Sequence, residues 1–179
     1  MCGPAQRDPD QRPRHLVQQP ERGVTAPARP ATSGQADRFR TGVRYVDYLA
    51  TGDESILDEA FTPDFHDHVS GLRGTDMMGV VRGWLARSFA DLTYEVHAVT
   101  SGDGLVMIWF TSSGTHIGSE FPQFAGREPT GRRIVAEAVH IFRVRDGKLA
   151  EHWAVRDDLG VLRQLDGGDP PGERPQRPV

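Results

Sequence analysis

The apolar residues change their spacing at Leu92, and this change limits the folds open to the chain. Before Leu92 they recur every three or four residues, as on the buried face of an amphipathic helix. After Leu92 they alternate with polar residues, as in strands that bury one face. Helices followed by a meander of antiparallel strands predict an α+β domain with helices against one side of a bent sheet.

Three helices are predicted before the change. Their apolar positions are Phe39, Val43, Val46 and Leu49 in the first, Ile56, Leu57, Ala60 and Phe61 in the second, and Met77, Val80, Val81, Trp84 and Leu85 in the third. Gly52 is a stop signal for the first helix, and Thr62-Pro63 ends the second, after which residues 64–69 are expected to be extended. Thr75 is the predicted N-cap of the third helix.

Four strands are predicted after the change. They run from Tyr94 to Ala98, from Leu105 to about Gly118, from Arg133 to Val144 and from Leu149 to Val155. The dipeptide Asp146-Gly147 between the last two runs is typical of a tight hairpin. A loop over residues 119–131 separates the second strand from the third.

Proline marks the limits of the domain. Six of the thirteen prolines lie in residues 1–37 and four lie in residues 167–179. Neither end has apolar periodicity, so neither buries enough surface to offset the entropy of ordering. We therefore predict one domain over residues 38–166, flanked by disordered tails at 1–37 and 167–179.

Charge and cysteine content exclude several classes of protein. The 21 cationic residues face 25 acidic ones, for a net charge of −4, which argues against nucleic acid as a partner. The longest apolar run, Leu105–Phe110, is too short to cross a membrane, and no secretory signal is expected. The single cysteine, Cys2, permits no internal disulfide. A cytoplasmic location is expected.

A series of short segments carries a family resemblance. In order they are Pro63-Asp64-Phe65 with Asp67-His68, Gly102-Asp103, Gly114-Thr115-His116 with Gly118, Pro129-Thr130-Gly131-Arg132, Glu151-His152-Trp153, Asp157-Asp158-Leu159-Gly160 and Leu162-Arg163-Gln164-Leu165. Their order and spacing resemble the SnoaL-like polyketide cyclase (ester cyclase) family, which shares the nuclear-transport-factor-two-like fold.

The resemblance implies a cone-shaped α+β barrel, in which a curved antiparallel sheet wraps round an apolar cavity closed by N-terminal helices. It also implies an apolar, polyketide-like carbonyl substrate, ring closure by an intramolecular aldol reaction, no metal or organic cofactor, and a homo-oligomer. A proton between carbonyls is already acidic, so one base and one polarising donor suffice to start such a reaction.

Two site positions of the family can be matched to this sequence, and only one of them keeps a titratable residue. His140 matches a cavity histidine of the cyclases and is assigned a polarising or proton-shuttling role. The aspartate that serves those cyclases as acid or base corresponds here to Ala154. Alanine cannot move a proton, so another residue must substitute or the reaction must differ.

Side chains alternate between the two faces of a strand, and this parity ranks the residues that could replace the missing aspartate. Ala138 and Phe142 share a face with His140, while Glu137 points away. His152, Ala154 and Arg156 form one face of the last strand, which makes His152 the nearest titratable candidate.

Each remaining candidate has a structural alternative. Asp157 is either an acid or base partner or the N-cap of a last helix. His68 and His116 are either cavity residues or hydrogen-bonded fillers. Trp109 is either core or an aromatic wall for a flat ligand.

Other functions have less support. His66 and His68 could converge on a metal, but a third ligand would have to come from afar, so no metal site is expected. No nucleotide-binding or serine-nucleophile motif is present. A binding module without turnover, and a hydroxylase or isomerase of the same fold, remain as alternatives.

Overall fold

The computed structural model describes residues 33–170, and the side chains of residues 40–170. Four α-helices lie in this range: α1 (Ser33–Thr51), α2 (Ser55–Ala60), α3 (Asp76–Ser88) and α4 (Asp158–Leu165). A short 3₁₀ helix covers Pro122–Phe124. Helix α1 begins before the predicted domain start at residue 38, and most of both predicted tails lies outside the described residues. None of the helices in the described range is long and apolar enough to cross a membrane.

Helix α1 packs across the sheet through part of its predicted face. Val43 is only half-buried, and the side chain of Phe39 lies outside the described residues. Val46 and Leu49 are buried, together with Tyr45 and Tyr48. At Gly42 the helix approaches the sheet so closely that a Cβ atom would lie 2.5 Å from the side chain of Val106. The close approach explains why a glycine stands in mid-helix.

Three details of the other helices differ from the sequence predictions. Helix α2 ends at Ala60, before the predicted end at Thr62-Pro63, and Phe61–Asp67 form a strand. Helix α3 begins directly after Thr75, but the Thr75 side chain makes no capping hydrogen bond. Met78 is buried on α3, while Val80, which was predicted to be buried, is 44% exposed.

Helix α4 has the predicted N-cap, since the Asp157 carboxylate accepts a hydrogen bond from the backbone N–H of Gly160 at 2.9 Å.

Five strands form one open, curved sheet. They are β1 (Phe61–Asp67), β2 (Phe89–Gly102), β3 (Leu105–His116), β4 (Arg133–Arg145) and β5 (Lys148–Arg156), and their order in the sheet is β1-β5-β4-β3-β2. The last four strands pair antiparallel, as predicted. Strand β1 instead lies parallel to β5. No hairpin joins these two strands, so the direction of β1 is not set by a turn.

A tight turn and a bulge in β2 each shape part of the register. Asp146 and Gly147 both have positive φ, as the tight hairpin between β4 and β5 requires. In β2 the register shifts between Val96 and Ala98, so the predicted alternation breaks there. As a result Val96 is 38% exposed, while Val99 packs against the core.

Two clusters of buried residues lie on the inner face of the sheet. The larger joins α1, α2, α3 and β1 to the middle of β3 and β4, and the smaller joins α4 and the 3₁₀ helix to the start of β2 and β4. Gln164 fastens α4 to β4, because its side-chain amide exchanges two hydrogen bonds of 2.8 Å with the backbone of Val135. Residues of both clusters line a common cavity.

Candidate active site

A cavity of about 280 Å³ lies on the inner face of the sheet within the described residues. This volume is near the lower end of the range of small-molecule sites. Most of its wall is apolar or aromatic, as at Tyr45, Leu49, Phe65, Met77, Met78, Trp84, Leu85, Phe89, Phe110, Phe121, Phe124, Ile134 and Val161. The wall suits a flat, largely apolar ligand.

Two histidines from neighbouring strands meet at this wall. His140 on β4 and His152 on β5 both line the cavity and are 7% and 5% exposed. His152 pairs with Phe142 in the β4–β5 register, so it lies diagonally across from His140 on the same face. The Nε2 atom of His152 is 2.9 Å from the Nδ1 atom of His140.

A buried carboxylate completes the chain of contacts. Asp67, at the end of β1, pairs with His152 in the parallel register, and its Oδ1 atom lies 2.8 Å from His152 Nδ1. The same carboxylate accepts hydrogen bonds from the Ser70 hydroxyl at 2.6 Å and the Val69 backbone N–H at 2.9 Å. Burial alone would raise the pKa of Asp67, but the hydrogen bonds from His152 and Ser70 outweigh it and hold the pKa well below its usual range. Asp67 is therefore ionised at neutral pH.

The ionised carboxylate fixes the positions of the protons. Because Asp67 can only accept, His152 donates its Nδ1–H to Asp67 and its Nε2 lone pair accepts the Nδ1–H of His140. The Nε2 lone pair of His140 is then left without a partner among the described residues, on a side chain that lines the cavity. Burial, followed by the charges of His152 and Arg156, lowers the pKa of His140 well below its usual value, while Asp67 raises it by a smaller amount. His140 is thus a neutral base at neutral pH.

Aromatic rings hold the two imidazoles in place. The Tyr45 ring of α1 lies 5.3 Å from the His140 ring and 5.6 Å from the His152 ring, between centroids. Phe142 stacks on His152 at 4.8 Å with an interplanar angle of 20°, and Phe110 lies 4.9 Å from His140. These contacts restrict rotation of the rings without using their nitrogen atoms.

Tyr94 supplies an unpaired donor. Its hydroxyl is buried and has no hydrogen-bond partner within the described residues, and its side chain lines the cavity. Burial raises the pKa of Tyr94 to about 12, so the phenol keeps its proton. A buried hydroxyl without a partner costs about 1–3 kcal/mol. A ligand oxygen would recover this hydrogen bond.

Arg156 and Asp157 also line the cavity, but both have other partners. Arg156 forms an ion pair of 3.1 Å with Asp158, and its guanidinium carbon lies 5.6 Å from the centre of the Phe121 ring. The Asp157 carboxylate caps α4. The structure therefore favours the capping role of Asp157 over an acid or base role.

Of the nine candidate site residues from the sequence, four line the cavity and five do not. The five are His68, Trp109, His116, Phe142 and Ala154. Phe142 and Ala154 share the inner face with His140, where Phe142 supports His152 and Ala154 lies opposite His140 in the register. Trp109 lies on the outer face and donates a hydrogen bond to Glu137, since parity directs its neighbours Ile108 and Phe110 inward.

The two remaining histidines lie elsewhere. His68 follows β1 on the outer face, where it stacks on Trp153 at 4.5 Å and contacts Glu151. His116 is fully buried at the end of β3, and its Nδ1 atom accepts the backbone N–H of Thr130 at 3.2 Å. His116 thus fastens the loop before β4, which is the structural alternative that the sequence left open.

Asp67 and Tyr94 are the site residues that sequence reasoning missed. In the sequence, Asp67 stands out only as part of a segment that carries the family resemblance. Alternation of side chains along β1 could have indicated that Asp67 faces inward, because Phe65 and Asp67 share the face opposite to His66 and His68. The partner of Asp67 could not be inferred, because the parallel pairing with β5 joins residues 85 positions apart in sequence.

Comparisons with known proteins agree with this fold and show the family. The sequence profile of the SnoaL-like polyketide cyclase family matches residues 40–165. The aklanonic acid methyl ester cyclase DauD of Streptomyces sp. (strain C5) is 31% identical over 140 residues, which cover 77% of this chain and 84% of DauD. The nogalonic acid methyl ester cyclase of Streptomyces nogalater is 31% identical over 139 residues, 74% of this chain and 99% of the relative.

A solved structure extends the comparison to the fold. A SnoaL-like protein from Jannaschia sp. CCS1 superposes with a TM-score of 0.68 at 20% identity, over 79% of this chain and 99% of that one. The α+β fold with a curved sheet over a cavity is thereby confirmed. The chain belongs to the SnoaL-like polyketide cyclase family.

Proposed function

We propose that the protein is a polyketide ester cyclase in which His140 is the catalytic base. One observation carries the proposal: a continuous chain of hydrogen bonds runs from Asp67 through His152 to His140 and ends at a free Nε2 lone pair in an apolar cavity. The relatives DauD and the S. nogalater enzyme are named as cyclases of aklanonic acid methyl ester and nogalonic acid methyl ester. The substrate proposed here is of the same class, an ester whose acidic C–H group is flanked by carbonyls.

The reaction begins with removal of a proton. His140 Nε2 takes the proton from the carbon between the carbonyls. The electron pair of the C–H bond is delocalised onto a neighbouring carbonyl, and the substrate becomes an enolate. The positive charge gained by His140 is balanced through His152 by the carboxylate of Asp67. The hydroxyl of Tyr94 donates a hydrogen bond to the enolate oxygen.

Ring closure follows without an outside reagent. The enolate carbon attacks a ketone carbonyl of the same molecule, which forms the new carbon–carbon bond and leaves an alkoxide. The imidazolium of His140 returns its proton to this alkoxide, so the enzyme ends in its starting state. The base and the donor that this reaction requires are both side chains of the described cavity.

The hydrogen-bonded series Asp67–His152–His140, called the relay below, also offers a substitute for the carboxylate that is absent at Ala154. In the family resemblance a carboxylate stands at that position, directly opposite His140 in the register. Here Asp67 reaches the histidine pair from β1, on the other side of β5 from β4. We infer that Asp67 with His152 replaces the absent carboxylate.

Arg156 has a proposed role in binding. Its side chain is 22% exposed, and its guanidinium lies beside Phe121 at the cavity wall. We infer that it contacts an oxygen of the substrate, with the aromatic wall stacking on the ring system. A cytoplasmic location and a homo-oligomer remain predictions.

The test is turnover of aklanonic acid methyl ester and of nogalonic acid methyl ester by the purified full chain. Air is excluded and a chelator is present. Wild type is compared with His140→Gln and with the control His97→Gln, whose histidine contacts Thr111 away from the cavity. We expect cyclised product from wild type and from the control, and a rate at least about 100-fold lower from His140→Gln, as for loss of a general base.

Two results would contradict the proposal. Equal saturable binding by all three proteins with no product would favour the binding module. Product only after air is readmitted would favour a hydroxylase.

A further inference from the structure

A second group of side chains with ligand chemistry lies on the outer face of the sheet, away from the cavity. It consists of His66, His68 and Glu151, and each offers one ligand atom, a ring nitrogen or a carboxylate oxygen. The three atoms lie within 4.8 Å of one another. The His66 and His68 rings are 3.9 Å apart between centroids.

The strand pairing brings these residues together. His66 and His68 flank Asp67, so parity directs both to the face opposite to the proposed relay. In the parallel register His66 pairs with Glu151, and the backbone N–H of His68 donates to the carbonyl of His152 at 2.9 Å. From the sequence, a third ligand is expected to be distant, but β5 places Glu151 beside the histidines.

The donor set fits a zinc ion. Two imidazoles and one carboxylate form a known set of protein ligands for Zn²⁺, with water in the fourth position. Ligand atoms at about 2.0–2.1 Å from zinc stand about 3.3 Å apart in a tetrahedron. His68 Nε2 and Glu151 Oε2 are already 2.9 Å apart. A proton bridges these two atoms now, and a metal ion would take its place.

Neighbouring side chains orient two of the three ligands. Trp153 stacks on the His68 ring with an interplanar angle of 6°. Arg143 Nε lies 3.2 Å from Glu151 Oε1, which leaves Oε2 facing His68. Such outer contacts fix the orientation of metal ligands. The positive charge of Arg143, and of Arg73 opposite His66, opposes a cation, so we expect moderate affinity.

We propose that His66, His68 and Glu151 form a Zn²⁺ site that fastens β1 to β5 on the outer face of the sheet. The site is independent of the proposed cyclase reaction, and no step of that reaction passes through it. Its position still matters for the relay, because Asp67 stands between the two histidines and His152 follows Glu151. A metal here would stabilise the strand pair that joins Asp67 to His152.

The test measures Zn²⁺ binding to the full chain without an affinity tag. Calorimetry gives stoichiometry and Kd, and Co²⁺ substitution gives a visible absorption band if the coordination is tetrahedral. All proteins carry Cys2→Ser to remove the thiol. His66→Ala and Glu151→Gln are compared with His97→Ala, because His97 lies 3.8 Å from Glu95 without a third ligand in the described structure.

We expect one Zn²⁺ per chain with Kd below about 100 µM, and a Co²⁺ band. At a Zn²⁺ concentration about 100 times Kd, Tm should rise by about 5–10 °C. His66→Ala and Glu151→Gln should each weaken binding at least about 30-fold and remove the band, with Tm in chelator close to that of the parent.

Two results would overturn the proposal. The first is the absence of stoichiometric binding by the parent. The second is binding that both variants retain, which would place the ion elsewhere in the chain.

Discussion

The Oδ1 atom of Asp67 lies 2.8 Å from His152 Nδ1, across two strands that no hairpin connects. Both side chains are buried, at 7% exposure each. A buried carboxylate beside a histidine fixes the tautomer of that ring. The contact therefore determines which nitrogen of His140 is free to act on a ligand.

Replacing Asp67 by asparagine should remove this control. An amide can donate as well as accept, so His152 no longer has to present Nδ1–H, and the charge that balances protonated His140 is lost. We expect kcat of Asp67→Asn to fall by about 100-fold or more, with a smaller change in KM. The measurement is steady-state turnover of the methyl ester substrate.

Asp64→Asn is the matched control for this variant. Asp64 lies on the same strand, but it is exposed and paired with Arg145 at the surface. Its substitution should leave kcat within about twofold, because exposed ion pairs contribute little. Equal losses in the two variants would argue that β1 was disturbed generally and would contradict the relay.

Tyr94→Phe separates a role in the reaction from a role in stability. The hydroxyl has no partner in the described structure, so its removal should leave Tm unchanged or slightly higher. Loss of one donor to a developing oxyanion lowers kcat by about 10²–10³-fold in well-studied cases, and a fall of at least about 10-fold is expected here. Activity and thermal unfolding are measured on the same preparations.

Tyr48→Phe provides the comparison, since Tyr48 is also buried but lies away from the cavity wall. It should keep its kcat. A Tyr94→Phe enzyme with unchanged kcat would exclude the phenol from the reaction.

Local patterns predicted most of the fold. The change of period near Leu92, the stop at Gly52 and the Asp146-Gly147 turn depend on near neighbours in sequence. The structure confirms the stop and the turn, while the change from helix to strand lies at Phe89, three residues before Leu92. The break in β2 was missed, because the bulge after Val96 depends on how β3 packs and leaves no local signal.

The site was predicted less completely, for the same physical reason. Parity placed His140 and His152 on one face, which is a local inference. The contact of Asp67 with His152 and the cluster of His66 with Glu151 both depend on β1 lying parallel to β5. That pairing is set by packing of the whole domain, so no segment of sequence predicts it.

Ala154→Asp should move the pH dependence of the reaction. Ala154 lies opposite His140 in the register, so a carboxylate there favours protonated His140 and raises its pKa. As pH falls, His140 therefore becomes protonated at a higher pH than in wild type, and the acid limb of kcat/KM should move to higher pH. In wild type that limb should lie below pH 6.5, since burial lowers the pKa of His140.

The control is Val155→Asp, which adds the same charge one residue on, at a side chain that is 68% exposed. Its acid limb should coincide with that of wild type. The other groups that face His140 are His152, Arg156, Asp67 and Tyr45, and they are the same in both variants. An acid limb that does not move in Ala154→Asp would exclude His140 as the titrating base.

Stability should fall as the pH drops below about 6.5. The folded state lowers the pKa of His140, so below the unfolded value near 6.5 the unfolded chain binds more protons than the folded chain. His140 therefore contributes stability that is present above pH 6.5 and is lost as pH falls towards its folded pKa, by up to about 1.4 kcal/mol per pH unit. Burial also lowers the pKa of His116, which acts in the same direction.

Urea unfolding at pH 7.5 and pH 5.0 measures this loss. His140→Gln should lose less stability between the two pH values than wild type does, because glutamine does not titrate, while His116 leaves a remainder. His97→Gln should lose as much as wild type, since that histidine lies outside the core. A pH dependence that is the same in His140→Gln and wild type would mean that His140 is protonated equally in the folded and unfolded chains, and it could not then be the buried neutral base.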